Sequence, residues 1–277
     1  VPELPEVESL RQMLWRSLSG RRFRRVTIRD SRLRRAVSGE LAAAVAGRRI
    51  ERISRRAKYL LLELAGDLVL LVHLGMSGSL THRRANFAVT EFDSRHDHVE
   101  FELDDGSRLV YNDPRRFGLI KAVPRAELSS LSELKSLGPE PLSPQFSPAY
   151  LWRATRGRTA PIKNLLMDQR VVAGVGNIYA SEILFRAAIR PTRRAGRITR
   201  SEAARIVTAT EEILRQAIGC GGTTFRSYRD SRGQPGRFAS LLRVYNREGK
   251  PCVKCAAIIR AVVLGGRSTY YCPRCQR

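Results

Sequence analysis

The chain has 277 residues, enough to bury a sizeable core and to form two domains. It carries 50 lysines and arginines against 26 aspartates and glutamates, a formal charge of +24. That excess calls for a polyanionic partner, with nucleic acid ahead of a membrane surface. No apolar run reaches 18 residues and no signal peptide is visible, so no membrane span is expected.

The chain opens with Val1-Pro2-Glu3-Leu4-Pro5-Glu6-Val7-Glu8 and passes directly into an apolar stripe of Leu4, Val7, Leu10, Leu14 and Leu18 at helical spacing. Pro5 suits a first helical turn, and Glu3, Glu6 and Glu8 suit the positive end of the helix dipole. A well-capped surface helix accounts for these residues. A chemical reading accounts for them too. Val1 fits a GTG start codon read as methionine and removed, which leaves Pro2 with a free secondary amine. An α-amino group is about 15% neutral at pH 7, against well under about 0.1% of a lysine, so a terminal Pro2 is a ready nucleophile.

Strand-like text follows. Residues 24–29 alternate weakly. Residues 58–64 and 68–74, separated by Ala65-Gly66-Asp67, read as a hairpin with a buried strand; residues 98–103 and 108–111 read as a second, turning at Asp104-Asp105-Gly106. Lys58, opening a buried strand, stands out because only six of the 50 basic residues are lysine. His73-Leu74-Gly75-Met76-Ser77-Gly78 is a tight turn expected to present Met76 outward. Residues 81–95 read as an irregular loop. His96 and His98 lack H-E-x-x-H spacing and read as structural or hydrogen-bonding, with His96 kept among the DNA-binding candidates. Asn112-Asp113-Pro114-Arg115-Arg116-Phe117-Gly118 offers two guanidinium groups beside an aromatic ring, suited to phosphates, base edges or a stacking gap. A hairpin turn with solvated charges also fits.

Prolines at 139, 141, 144 and 148 mark a connection over 134–156, after which the periodicity is helical. Helices are expected over 161–169, 178–188 and 201–218. Between the first two, Val172-Ala173-Gly174-Val175-Gly176-Asn177 forms a glycine turn whose N–H groups suit an anion, with Asn177 able to cap. Gly221 to Phe238 is a long glycine-rich loop. Cys252-Val253-Lys254-Cys255 and Cys272-Pro273-Arg274-Cys275 have the spacing of a closed, structural zinc site with four cysteine ligands, in a reducing compartment. Arg267 sits at a hairpin tip between the pairs, and Cys220 is expected to be an inert buried thiol.

Together the P-E-L-P-E-V-E start, the Met76 turn, D-P-R-R-F-G, the string from Ile162 to Phe185 and the paired CxxC motifs span nearly the whole chain. They resemble the formamidopyrimidine-DNA glycosylase family, bacterial enzymes that remove oxidised purines from DNA. The resemblance implies an α+β, two-domain architecture: an N-terminal antiparallel β-sandwich with a leading helix (1–133), the linker (134–156), a helix–two-turns–helix domain with a lesion-binding loop (157–243) and a zinc finger (244–277). It implies a monomeric, cytoplasmic, nucleoid-associated glycosylase and AP lyase. Double-stranded DNA with oxidised bases or abasic sites lies in a cleft between the halves, and one Zn2+ is structural. Pro2 attacks C1′, Glu3 is the general acid, and Lys58 and Arg267 grip phosphate and sugar. Met76, Arg115 and Phe117 enter the duplex, Arg116 holds phosphate, and Lys163 and Asn177 bind phosphate. Ala57, Ser181 and Ser268 depart from the family's usual glycine, aspartate and glycine. An endonuclease VIII-like enzyme for oxidised pyrimidines, and a non-catalytic DNA-binding protein on the same scaffold, stay open.

Overall fold

The computed structural model of the chain describes residues 2–84, 94–223 and 236–277. The chain forms two compact units: Val1–Lys135 with Ile218–Ala239, and Ser136–Ala217 with Ser240–Arg277.

In the first unit, α1 (Leu4–Leu18) buries the stripe of Leu4, Val7, Leu10, Leu14 and Leu18. It is followed by β1 (Phe23–Ile28), α2 (Leu41–Val45), β2 (Ile50–Arg56), β3 (Tyr59–Leu64), β4 (Leu68–His73), β5 (Ser79–Arg83), β6 (Asp97–Leu103), β7 (Arg108–Asn112) and β8 (Leu119–Pro124). They make two four-stranded antiparallel sheets, ordered β1-β6-β7-β5 and β2-β3-β4-β8. Alternate residues of both sheets, among them Phe23, Phe101, Leu60, Leu62 and Val72, join the α1 stripe in one core, which makes the unit a sandwich with a leading helix. The alternation is masked in β3 and β4 because their outer faces are covered as well. Leu61, Val69 and Leu71 pack with Leu119 and Val123 under Leu128, Leu131 and Leu134.

The irregular loop expected over 81–95 is corrected in its first part. Strand β5 continues to Arg83, paired with Arg108 of β7, and residues 85–93 lie outside the described residues.

The second unit contains α3 (Pro148–Thr155), α4 (Ile162–Met167), α5 (Asn177–Arg186), most of α6 (Arg200–Gly219) and the hairpin β9 (Arg260–Leu264)–β10 (Arg267–Tyr271). Helix α3 lies within the stretch read as a connection; Ser147 Oγ caps it by accepting from the Tyr150 N–H at 3.2 Å. Helix α4 ends two residues earlier than the periodicity suggests. Asp168 leaves helical geometry, and its carboxylate accepts from the Arg170 N–H at 3.0 Å. Val244, Cys252, Ile259 and Cys272 pack around Phe185 of α5, so the cysteine module is seated on the helical layer.

Candidate active site and metal centre

Pro2, Glu3 and Glu6 are all buried. A reciprocal capping box holds Glu3 and Glu6: the Glu3 carboxylate accepts from the Glu6 N–H, and Glu6 Oε2 accepts from the Glu3 N–H at 2.8 Å. Glu6 Oε1 also accepts from the Thr223 N–H at 2.6 Å. Gly222 has φ +82°, and a Cβ there would lie 2.7 Å from that same oxygen, so only glycine fits against Glu6. The stem of the expected lesion-binding loop is pinned at this point. Thr223 bridges Arg237, and the Phe238 N–H donates to the Gly222 carbonyl at 3.0 Å. Residues 224–235 of that loop lie outside the described residues. Cys220, expected to be buried, is half-exposed.

Lys58 sits in the β2–β3 turn, half-buried. Ala57 before it is buried with φ +51°, a left-handed conformation that suits glycine better. Two contacts fix the turn relative to α1: Arg55 Nε donates to Glu8 Oε2 at 3.1 Å, and Arg55 Nη1 donates to the Ala57 carbonyl at 2.8 Å. Glu8 also takes Arg11 and Gln12. Burial raises its pKa, but these hydrogen bonds and the Arg11 and Arg55 charges outweigh that and hold it lowered. From sequence Glu8 stood out only for the helix dipole and Arg55 not at all, since a contact 47 positions apart leaves no local signal.

His73, at the end of β4 opposite Tyr59, was also missed. Its Nδ1 accepts from the Gly75 N–H at 3.0 Å. Burial, then the Lys58 and Arg34 charges, lower its pKa to about 4, with Asp113 opposing. The ring is therefore neutral near pH 7 and shapes the Met76 turn as an acceptor. Met76 itself is half-buried, less presented than its sequence suggests.

Asp113 joins that turn to the next. Fully buried, it accepts from Ser77 Oγ at 2.7 Å and from the Gly118 N–H at 2.9 Å. Its carbonyl accepts from His98 Nε2 at 2.8 Å, and its own N–H donates to the His96 carbonyl at 3.1 Å. Gly75, at φ +61°, lies so close to the Phe117 backbone that a Cβ would stand 2.5 Å from its carbonyl carbon. The Met76 turn and the Arg115–Phe117 turn are thus packed together. Phe117 is 46% exposed, and the guanidinium of exposed Arg115 stacks 4.8 Å from its ring centroid. Arg116 is ion-paired to Asp30 at 2.7 Å. His96 is half-buried beside His98, their ring centroids 6.5 Å apart.

The remaining candidates belong to the second unit. Lys163, expected on a phosphate, is fully buried. Its Nζ donates to Asn177 Oδ1 at 2.5 Å, to Thr269 Oγ1 at 2.6 Å and towards the Ser268 carbonyl at 3.4 Å. Asn177 does not cap α5, whose N-cap is Gly176; its Nδ2 donates to the Ser268 carbonyl at 3.1 Å. In the glycine turn, the Gly174 N–H is already taken by Gln169 Oε1 at 2.7 Å. These bonds fasten the turn before α5 to the β9–β10 hairpin, whose tight Gly265-Gly266 turn delivers exposed Arg267 at the start of β10.

The thiols of Cys252, Cys255, Cys272 and Cys275 all lie within 4.8 Å of one another, with Cys252–Cys275 at 3.9 Å and Cys255–Cys272 at 3.5 Å. Tetrahedral Zn–S bonds of about 2.3 Å place sulfurs about 3.8 Å apart, so the set fits one zinc ion. The Lys254 and Cys275 N–H groups point at Cys252 Sγ and Cys272 Sγ, each at 3.4 Å, which favours thiolates. Four protein ligands leave no open position, so the ion holds structure.

Comparison with known proteins agrees with this layout. The family models described as formamidopyrimidine-DNA glycosylase N-terminal domain, formamidopyrimidine-DNA glycosylase H2TH domain, and zinc finger found in FPG and IleRS match residues 1–120, 137–229 and 249–277. The formamidopyrimidine-DNA glycosylase of Thioalkalivibrio sulfidiphilus is 47% identical over 277 residues, covering 100% of both chains. The solved MutM (Fpg) protein of Thermus thermophilus is 40% identical with a TM-score of 0.88, covering 99% of this chain and 98% of that one. The Lactococcus lactis Fpg in complex with DNA containing an abasic site is 31% identical with a TM-score of 0.90, covering 99% of each chain.

Proposed function

The chain belongs to the formamidopyrimidine-DNA glycosylase family, and from that membership we infer how its own residues carry out the reaction. It is a base-excision-repair DNA glycosylase with AP lyase activity. Its substrate is duplex DNA carrying oxidised purines or abasic sites, and we propose that it works in the cytoplasm at the nucleoid.

With Val1 removed, the Pro2 nitrogen attacks C1′ and the N-glycosidic bond breaks, the base leaving with a proton. Glu3 protonates O4′ as the sugar ring opens, and a Schiff base joins Pro2 to C1′. Loss of a C2′ proton expels the 3′ phosphate, and a second elimination expels the 5′ phosphate. Lys58 and Arg267 hold phosphate and sugar. Met76, Arg115 and Phe117 fill the space of the extruded base, and Asn177 takes a backbone phosphate. Lys163 acts as a positioning residue, since its ammonium is committed to Asn177 and Thr269. The zinc ion braces the hairpin that carries Arg267.

The observation that supports this reading best is the buried capping box of Glu3 and Glu6. It sets a carboxyl group in the residue next to the would-be amine and fixes both the backbone and the side chain of Glu3. Borohydride trapping on an 8-oxoguanine duplex, with intact-mass analysis of the protein, tests it. An adduct on any residue but Pro2, or activity from a chain that retains Val1, overturns the assignment. Faster release of thymine glycol than of 8-oxoguanine favours the pyrimidine-directed alternative.

A further inference from the structure

Six arginines of the second unit form a surface that the reaction above does not use. Arg153, Arg156, Arg158, Arg194, Arg197 and Arg200 are all exposed, and among the described residues none is ion-paired to a carboxylate. Local structure gathers them. Pro161 and Arg194 form an antiparallel bridge, the Ala195 N–H donates to the Ala160 carbonyl at 2.9 Å, and the Gly196 N–H donates to the Arg158 carbonyl at 2.8 Å. Arg156 Nη2 donates to the Ile198 carbonyl at 2.5 Å. The guanidinium groups of Arg156 and Arg200 both stack on the Trp152 ring, 4.9 Å and 4.5 Å from its centroid.

Among the described residues, the Glu202 and Asp168 carboxylates are already paired with other arginines, and the Arg158 charge adds to the Arg170 hydrogen bond that holds the Asp168 pKa down. Glu202 is paired with Arg193 at 2.6 Å, and Asp168 with Arg170 at 2.9 Å. Six like charges on a short stretch of surface repel one another unless an anion spans them. Planar guanidinium groups grip phosphate oxygens in pairs, and a duplex presents a charge about every 1.7 Å of its axis. The stacked Trp152 holds two of the six in fixed positions before any ligand arrives. Among the described residues, the hydrogen bonds these side chains make run to Trp152, Thr155 and Ile198, whereas Asn177 bonds the β9–β10 hairpin.

We propose that this arginine surface is a second, sequence-independent binding site for the phosphate backbone of undamaged duplex DNA. It rests on the duplex being this chain's substrate, and it adds the task of holding the protein on DNA that carries no lesion.

The test uses the full chain with Arg153→Gln, Arg158→Gln, Arg194→Gln and Arg197→Gln combined, leaving the Trp152 stack intact. A second chain carries lysine at the same four positions. Affinity for a long undamaged duplex is measured against salt from about 50 to 200 mM. The glutamine chain is expected to give a log–log slope shallower by about 0.9 for each arginine seated on a phosphate, and the lysine chain to restore the parent slope. Single-turnover excision from a short lesion-bearing duplex is expected to match the parent. A glutamine chain with the parent's slope overturns the proposal and leaves the surface to some other polyanion, such as an acidic protein. Failure of the parent itself to excise the lesion sinks the glycosylase reading instead, a result separable from the slope.

Discussion

Glu6 and Thr223 are 217 positions apart and joined by a 2.6 Å hydrogen bond, N–H to carboxylate. The same carboxylate holds the Glu3 N–H, so one acceptor-only group ties the turn bearing Pro2 and Glu3 to the stem of the loop beyond Thr223. Glutamine at this position offers one acceptor and one donor where two donors point. Glu6→Gln should therefore leave a buried N–H unsatisfied, at about 1–3 kcal/mol. The expected outcome is a lowered melting temperature together with weakened borohydride trapping. A variant that melts and traps like the parent removes Glu6 from this role.

Ala57 carries strain beside Lys58. Left-handed geometry costs a residue with a Cβ about 1–2 kcal/mol, against about 0.4–1 kcal/mol for the extra unfolded-state freedom of glycine. Ala57→Gly should raise stability by roughly 0.5–1 kcal/mol. Urea unfolding checks this: the midpoint should rise at constant slope, and a fall would mean that Cβ packing outweighs the strain.

The features most legible in the sequence were those written in short-range chemistry. The α1 stripe, the Leu-rich hairpin and the paired CxxC motifs each follow from local spacing. Strand β2, with Arg52, Arg55 and Arg56 among its seven residues, gave no apolar signal because much of its surface faces solvent or ion pairs. His73, Glu8, Arg55 and Asp113 were illegible for another reason. Arg55 reaches Glu8 of α1, and Asp113 reaches Ser77, only through the tertiary fold, while the sheet register sets His73 opposite Tyr59. Lys163 was given a phosphate by the family resemblance; the fold adds that its ammonium is buried and bonded to Asn177 and Thr269.

The zinc ion should be removable and its loss costly. Metal analysis is expected to give one zinc per chain, and Cys252→Ser to abolish it. Apparent zinc affinities of small fingers amount to about 10–16 kcal/mol, more than such a module gains from its own core. Chelation should therefore unfold the segment around β9 and β10, displace Arg267 and weaken DNA binding, with zinc restoring it. Unchanged DNA affinity in the metal-free chain would refute the bracing role.

His73 predicts a pH dependence with a defined sign. Its pKa is lowered from about 6.5 when unfolded to about 4 when folded, so between those values the unfolded chain binds more protons. Its contribution is complete above about pH 6.5 and is lost as pH falls towards 4, by at most about 3 kcal/mol. His73→Gln keeps an acceptor for the Gly75 N–H but cannot take up a proton. Stability measured across that window should fall less steeply in the variant than in the parent. Parallel profiles would show that His73 does not titrate with unfolding.

Asp113 makes the sharpest prediction about base extrusion. It bonds Ser77 of one turn and Gly118 of the other, so Met76 and Phe117 move as one body only while both bonds hold. In Asp113→Asn the Ser77 hydroxyl can still donate to the amide oxygen, but the amide NH2 then faces the Gly118 N–H. The turn carrying Arg115 and Phe117 loosens from its neighbour. Filling the gap left by an extruded base requires that turn, whereas elimination at an abasic site in single-stranded DNA does not. Excision of 8-oxoguanine from a duplex should therefore fall by about tenfold or more, equivalent to about 1.4 kcal/mol of lost ordering, while single-strand lyase activity stays near the parent rate. Ser77→Ala, which removes only one of the two bonds, should fall between. Equal losses on both substrates would reduce Asp113 to a general stabiliser of the sandwich.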